Sequence, residues 1–229
     1  MRILRIVLSL VFFLMFVFSA SPILAAGAGG GGGGEYRGSS GSSAGSSRSP
    51  ERIAKRAYEA GLSYKKKAWK YEEKAAKADD AEDRDELLAK AQKAYGSAIE
   101  SQTAAVKADP KNYEAENELG YALRKTGQYA PAIEAYDRAL ALNGAFFPAV
   151  EYRGEAYLSV GELQRAKDSY MKLFRNDRKL ADKLMTTMDE WLAKQPAGEE
   201  SKSFAEWVKE RKSLANVGDD LSQNNTRSW

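Results

Sequence analysis

A pattern that recurs every 34 residues governs what this chain can fold into. Gly120, Gly127, Ala132 and Tyr136 are matched by Gly154, Gly161, Ala166 and Tyr170. Upstream, Tyr95, Ala98 and Pro110 sit 34 positions before Tyr129, Ala132 and Gly144. A fixed period of this length, with glycine, alanine and aromatic residues at set offsets, predicts stacked helical hairpins. Small residues let the two helices of a hairpin approach closely, and aromatics fill the gap to the next. Such an array makes a binding surface and does no chemistry of its own.

The rest of the sequence agrees with helices alone. Proline is confined to places where a helix would start or stop, at Pro110, Pro131, Pro148 and Pro196, and no alternating β-branched run argues for a strand. Order begins at Ser49, Pro50 and Glu51, an N-cap serine, a proline suited to the first helical position and a first-turn acid.

The two clear repeats, Tyr113–Phe146 and Phe147–Leu180, resemble the tetratricopeptide repeat family. Leu119, Gly120 and Leu123 fall in the first helix of the first repeat, Gly127, Gln128 and Tyr129 at its turn, and Ala132, Tyr136 and Ala139 in its second helix. Gly154, Tyr157, Gly161, Ala166, Tyr170 and Leu173 follow in the second repeat. Glu116, Val150, Arg153 and Gly144 depart from the family's preferred residues. A distorted repeat precedes them, with Ala57, Ala60, Gly61 and Tyr64 in one helix and Tyr95, Ala98 and Ala105 in the next. Its 25 extra residues, shared between two helices, lengthen the hairpin by roughly 18 Å. The expectation is a spur with its tip near Asp79 to Asp83; a separate N-terminal hairpin is the alternative.

The fold expected is therefore all-α: a short helical-hairpin solenoid of two clear repeats plus one elongated N-terminal hairpin, closed by C-terminal capping helices. Its parts are a leader over residues 1–26, a Gly/Ser-rich linker over 27–49, the elongated hairpin over 50–110 and the repeats over 111–180. Capping and amphipathic helices follow over 181–217, and a disordered tail over 218–229. Leu180, Leu184, Met188 and Trp191 or Leu192 form the stripe that caps the last repeat. Ser203 with Glu206 reads as the capping box of a final helix carrying Phe204, Trp207, Val208 and Leu214.

The leader reading rests on Arg2 and Arg5, the apolar run Ile6 to Phe18 and the small residues Ala25 to Ala28. It implies export to the periplasm or beyond, with an uncleaved anchor in the inner membrane as the alternative. Its removal leaves 33 Lys+Arg against 32 Asp+Glu, a net charge of +1, too little for a general nucleic-acid field. Cysteine and histidine are both absent, so thiolate or imidazole metal sites and catalytic groups cannot be built. No cofactor, metal or catalytic residue is expected.

In the resembled family the inner groove is lined by exposed positions of each first helix. Carried over, these are Glu114, Asn117, Tyr121, Arg124 and Lys125 in the first clear repeat, and Glu151, Tyr152, Glu155 and Leu158 in the second. The resemblance implies an adaptor that takes a peptide or partner protein of the cell envelope on this face. A self-associating scaffold is the alternative, or a membrane-tethered module if the leader is retained. The family's clamp for a C-terminal carboxylate is absent, because its places hold Tyr58, Leu62, Glu118, Pro148 and Tyr152. Lys65, Lys66, Lys67, Trp69 and Lys70 read as a solvated helix face, and the acids from Asp79 to Glu86 as support for the N-terminus of the second long helix.

Overall fold

The computed structural model describes residues 49–196 and 198–226. All of its helices belong to one unit, Ser46–Trp229; the other unit, Met1–Gly45, lies outside the described residues. So do the expected leader and the expected linker up to residue 48. Among the described residues the structure is helical throughout: α1 (Pro50–Ala76), α2 (Ala81–Ala108), α3 (Tyr113–Lys125), α4 (Tyr129–Leu142), α5 (Phe147–Ser159), α6 (Leu163–Asn176), α7 (Arg178–Leu192) and α8 (Glu199–Thr226). None of these helices is long and apolar enough to cross a membrane.

The helix ends are set by local chemistry. Ser49 accepts from the Arg52 N–H ahead of Pro50, and Asp80 accepts from Glu82 and Asp83 at 2.8 and 3.1 Å. Asn112 and Asp177 cap α3 and α7 in the same way. Such a cap satisfies a backbone donor that the helix itself leaves unpaired, and is worth about 1 kcal/mol. The two short hairpins turn at Gly127 and Gly161, both at φ 78°, a conformation that costs an L side chain about 1–2 kcal/mol. After each glycine an N–H returns to the helix end, Gln128 to the Leu123 carbonyl and Glu162 to the Tyr157 carbonyl, both at 2.9 Å. This is the Schellman closure, and its repetition at a 34-residue interval is the physical content of the period.

Packing repeats as well. A Cβ on Gly120 would lie 2.7 Å from the buried Tyr136 ring, so α3 and α4 touch because Gly120 has no side chain. Gly61 meets Gln102 in the same fashion across α1 and α2, and Gln102 is buried. Gln102 lies 34 residues before Tyr136, so the long hairpin is joined by the same kind of contact as the short one. Its helices have 27 and 28 residues against 13 and 14 in α3 and α4, or about 40 Å against about 20 Å. The turn between them lies at 77–80, and residues 79–86 are all exposed.

The core runs from α3 to α8 and is filled by Tyr136, Tyr170, Leu173, Leu184 and Met188. Phe204 and Val208 of α8 close its end, Phe204 edge-on to Trp191 at 5.6 Å and Trp207 edge-on to Tyr170 at 5.5 Å. Two expectations about α8 need correction. It starts at Glu199, not at Ser203: the Gly198 N–H donates to the Ser201 hydroxyl at 3.0 Å, and Glu199 and Glu200 supply the first-turn acids. It also remains helical through Gly218 to Thr226, where a loose tail was expected. Within α8 the only breaker is that single glycine, which costs a helix about 1 kcal/mol. Residues 227–229 lie outside the described part.

Candidate partner-binding face

The first helices of successive hairpins, α1, α3, α5 and α7, share one face and are tied across it by side chains. Along α1 the order is Lys65, Trp69, Glu72; along α3 it is Glu118, Tyr121, Lys125. These positions recur at about one helical turn, so each triplet lies on one flank. The two orders are electrically opposite with an aromatic in the middle, and they pair in sequence. Lys65 binds Glu118, the Trp69 indole N–H donates to the Tyr121 hydroxyl at 2.7 Å, and Lys125 binds Glu72 at 2.7 Å. From α3 to α5, Tyr121 meets Tyr152 edge-on at 5.1 Å and Arg124 binds Glu155 at 2.5 Å. From α5 to α7, Lys183 donates to Glu151 at 3.1 Å.

Cations sit over the aromatic row. Lys65 lies 5.0 Å from the Trp69 ring centre, Arg124 5.3 Å from that of Tyr121, and Lys183 4.7 Å from that of Tyr152. A cation over a ring at these distances is worth about 0.5–2 kcal/mol, more when desolvated. The row Trp69, Tyr121, Tyr152 thus forms an apolar spine with a rail of charge pairs. Trp69 keeps 44% of its surface in solvent, and the Lys183 side chain keeps 51%.

The residues expected to line the groove divide into three groups. Glu114 is exposed and Tyr152 half-buried. Arg124, Lys125 and Glu155 are on the face but already paired, with each other or with Glu72. Asn117, Tyr121, Glu151 and Leu158 were expected to be exposed and are buried. Tyr121 is covered by Trp69 and Tyr95, Glu151 is bound by Lys183, and Leu158 belongs to the core. An inner position of a repeat is open only as far as its neighbouring first helices leave it so, and here α1 and α7 press close. Lys65, Trp69, Glu72, Glu118 and Lys183 belong to the face and were missed. Complementary order between the two triplets was the readable signal for the first four.

Burial shapes the ionisation of the face. Glu151 has no exposed surface, and its carboxyl is pushed up to about 8 by that burial and by Glu155 one turn away, with Lys183 pulling the other way. Its Oε1 has no hydrogen-bond partner. A proton there turns that oxygen into a donor toward Glu155. Tyr58 is raised to about 12 by burial and by Glu114 and Glu118, and burial likewise raises Tyr95 and Tyr152. These hydroxyls are donors at any physiological pH. Among the described residues no group of three acidic, histidine or cysteine side chains is placed to hold a metal ion.

Comparison with known proteins places one sequence match on this face. Residues 113–146, which hold α3 and α4, match the family model of the tetratricopeptide repeat. No curated protein matches the chain. Among solved structures, the NMR structure of the first TPR domain of the human RPAP3 protein is 21% identical with a TM-score of 0.45, covering 64% of this chain and 99% of its own. The first TPR of Spaghetti (RPAP3), bound to an HSP90 peptide, is 22% identical at a TM-score of 0.41, over 58% of this chain and 96% of its own.

Proposed function

We propose that this chain is an exported protein–protein interaction adaptor that takes an extended peptide or a partner helix on the face shared by α1, α3, α5 and α7. The observation that carries the reading is the aromatic spine with its half-exposed end. Trp69 is held in place by Tyr121 yet open to solvent, and Lys183 stands at the other end of the row. A rigid, partly exposed tryptophan beside tyrosines and fixed charges is the composition of an interface hot spot. The tetratricopeptide match over α3 and α4 favours binding over turnover. Export, and with it a partner of the cell envelope, rests on Arg2, Arg5 and the apolar run that follows.

Peptides selected by display against the purified protein test the face. Trp69→Ala should weaken the selected peptides by about thirtyfold, the scale of a tryptophan hot spot of about 2 kcal/mol. Lys209→Glu, on the exposed side of α8, should leave them unchanged. Peptides indifferent to Trp69→Ala and to Lys183→Glu would remove this face as the working surface. Sequencing the N-terminus of the protein recovered from cell fractions tests the export reading: a start near Gly27 supports cleavage, and a start at Met1 supports an anchor.

A further inference from the structure

The long hairpin carries a second polar feature, on the flank of α1 turned away from α3. Lys65, Trp69 and Glu72 face α3, whereas Tyr64, Lys67 and Tyr71 lie on the other side of α1's line of contact with α2. With Lys90, Lys93 and Ser97 of α2 they line a recess of about 280 Å³. Ala94, small and buried, forms its floor. Its polar lining is ammonium and hydroxyl groups. Lys90 is bound to Glu86 at 2.7 Å, but among the described residues neither Lys67 nor Lys93 has an ion-pair partner, and both are exposed. Four lysines of the hairpin are paired, Lys55 with Glu59, Lys65 with Glu118, Lys77 with Glu73 and Lys90 with Glu86, whereas Lys66, Lys70, Lys74 and Lys107, like Lys67 and Lys93, have no ion-pair partner among the described residues. What sets Lys67 and Lys93 apart is their convergence, from two helices, on one cavity with two tyrosines.

We propose that this recess docks an acidic segment of a partner protein, with Lys67 and Lys93 receiving its carboxylates and Tyr64 and Tyr71 flanking its backbone. It is separate from the spine of Trp69, Tyr121 and Tyr152, so the inference does not depend on what that face binds. Its size suits one or two side chains. A nucleic-acid strand is disfavoured because Glu86 and Asp83 continue the same flank of α2 toward the tip and repel a phosphate backbone. Lysine ammonium groups on opposing helices also suit separate carboxylates along a peptide better than the single planar fork that arginine would offer.

The test uses the full purified protein and a fluorescein-labelled hexaglutamate peptide, followed by anisotropy at low and high salt. Saturable binding is expected at low salt and should weaken as salt rises. Lys67→Glu/Lys93→Glu should lower the affinity by at least about tenfold. Lys66→Glu/Lys70→Glu makes the same charge change on the side of α1 turned away from α2 and should lower it by clearly less. No saturable binding, or equal losses from both double variants, overturns the proposal. Displacement by millimolar pyrophosphate as effective as by unlabelled hexaglutamate would make the recess a small-anion site and overturn the choice of occupant. A concentration-dependent dimer in sedimentation, abolished by Lys67→Glu/Lys93→Glu, would assign the recess to the acidic turn of a second copy and overturn it too. All four lysines are exposed, so circular dichroism should show both double variants folded.

Discussion

Trp69 of the long helix α1 donates its indole N–H to the hydroxyl of Tyr121 on α3, at 2.7 Å and with the rings edge-on 6.0 Å apart. The bond joins residues 52 apart in sequence and fixes how the elongated hairpin sits on the repeat that follows. Trp69→Phe and Tyr121→Phe should each lower stability by about 0.5–1.5 kcal/mol, the net worth of one hydrogen bond. The double variant should lose less than the sum of the two, a coupling that urea denaturation of all four proteins would measure. Strict additivity would mean the contact contributes nothing.

Two glycines should respond in opposite directions. Gly120→Ala places a methyl 2.7 Å from the buried Tyr136 ring and should cost about 1–3 kcal/mol. Gly96→Ala, in the interior of α2 with nothing within 4 Å of its new Cβ, should add about 0.5–1 kcal/mol. Melting temperatures of the two variants against the parent decide both.

Glu151 makes stability depend on pH across a range where a chain without histidine would otherwise be nearly flat. Its folded-state carboxyl titrates above the ordinary carboxylate range, near 8, because burial and Glu155 oppose its charge. Between that ordinary range and about 8 the unfolded chain is ionised here while the folded one keeps its proton. Stability must therefore fall as pH rises through this window, by at most about 1.4 kcal/mol per pH unit from this group. Glu151→Gln should flatten the curve and exceed the parent at pH 8.5. Urea denaturation at pH 5.5, 7 and 8.5 tests it, and a parent curve that rises over this window refutes it.

Phe204 holds the cap. It is 1% exposed and packs against Trp191 and Trp207. Phe204→Ala should destabilise by about 3–5 kcal/mol and speed hydrogen exchange in α7 and α8 before α1 and α2. Uniform acceleration along the chain would show that the cap and the long hairpin unfold as one.

The fold was legible because its determinants are local and repeat: the turns at Gly127 and Gly161 need a left-handed residue, and Gly120 must admit an aromatic ring. The inner face was only partly legible. Family positions pointed to Tyr121, Arg124 and Glu155, all of which lie on that face. Sequence offsets alone could not show that Tyr121 is roofed by Trp69 or that Leu158 turns into the core, because both depend on how closely neighbouring first helices approach. Lys65 and Trp69 read as solvated for the same reason. Three consecutive lysines on one helix must diverge, and they do: Lys65 goes to Glu118, Lys66 to solvent and Lys67 to the recess.

The charge pairs Lys65–Glu118, Lys125–Glu72 and Arg124–Glu155 all run across gaps between consecutive first helices. A stack of hairpins bends by widening or narrowing those gaps, so each pair acts as a tie-bar across its own gap. The elastic stiffness of the array is then set partly by the surrounding electrolyte. Raising salt screens Lys125–Glu72 first, while Lys65–Glu118 across the same α1–α3 gap and Arg124–Glu155 across the next, both nearly dry, hold their gaps.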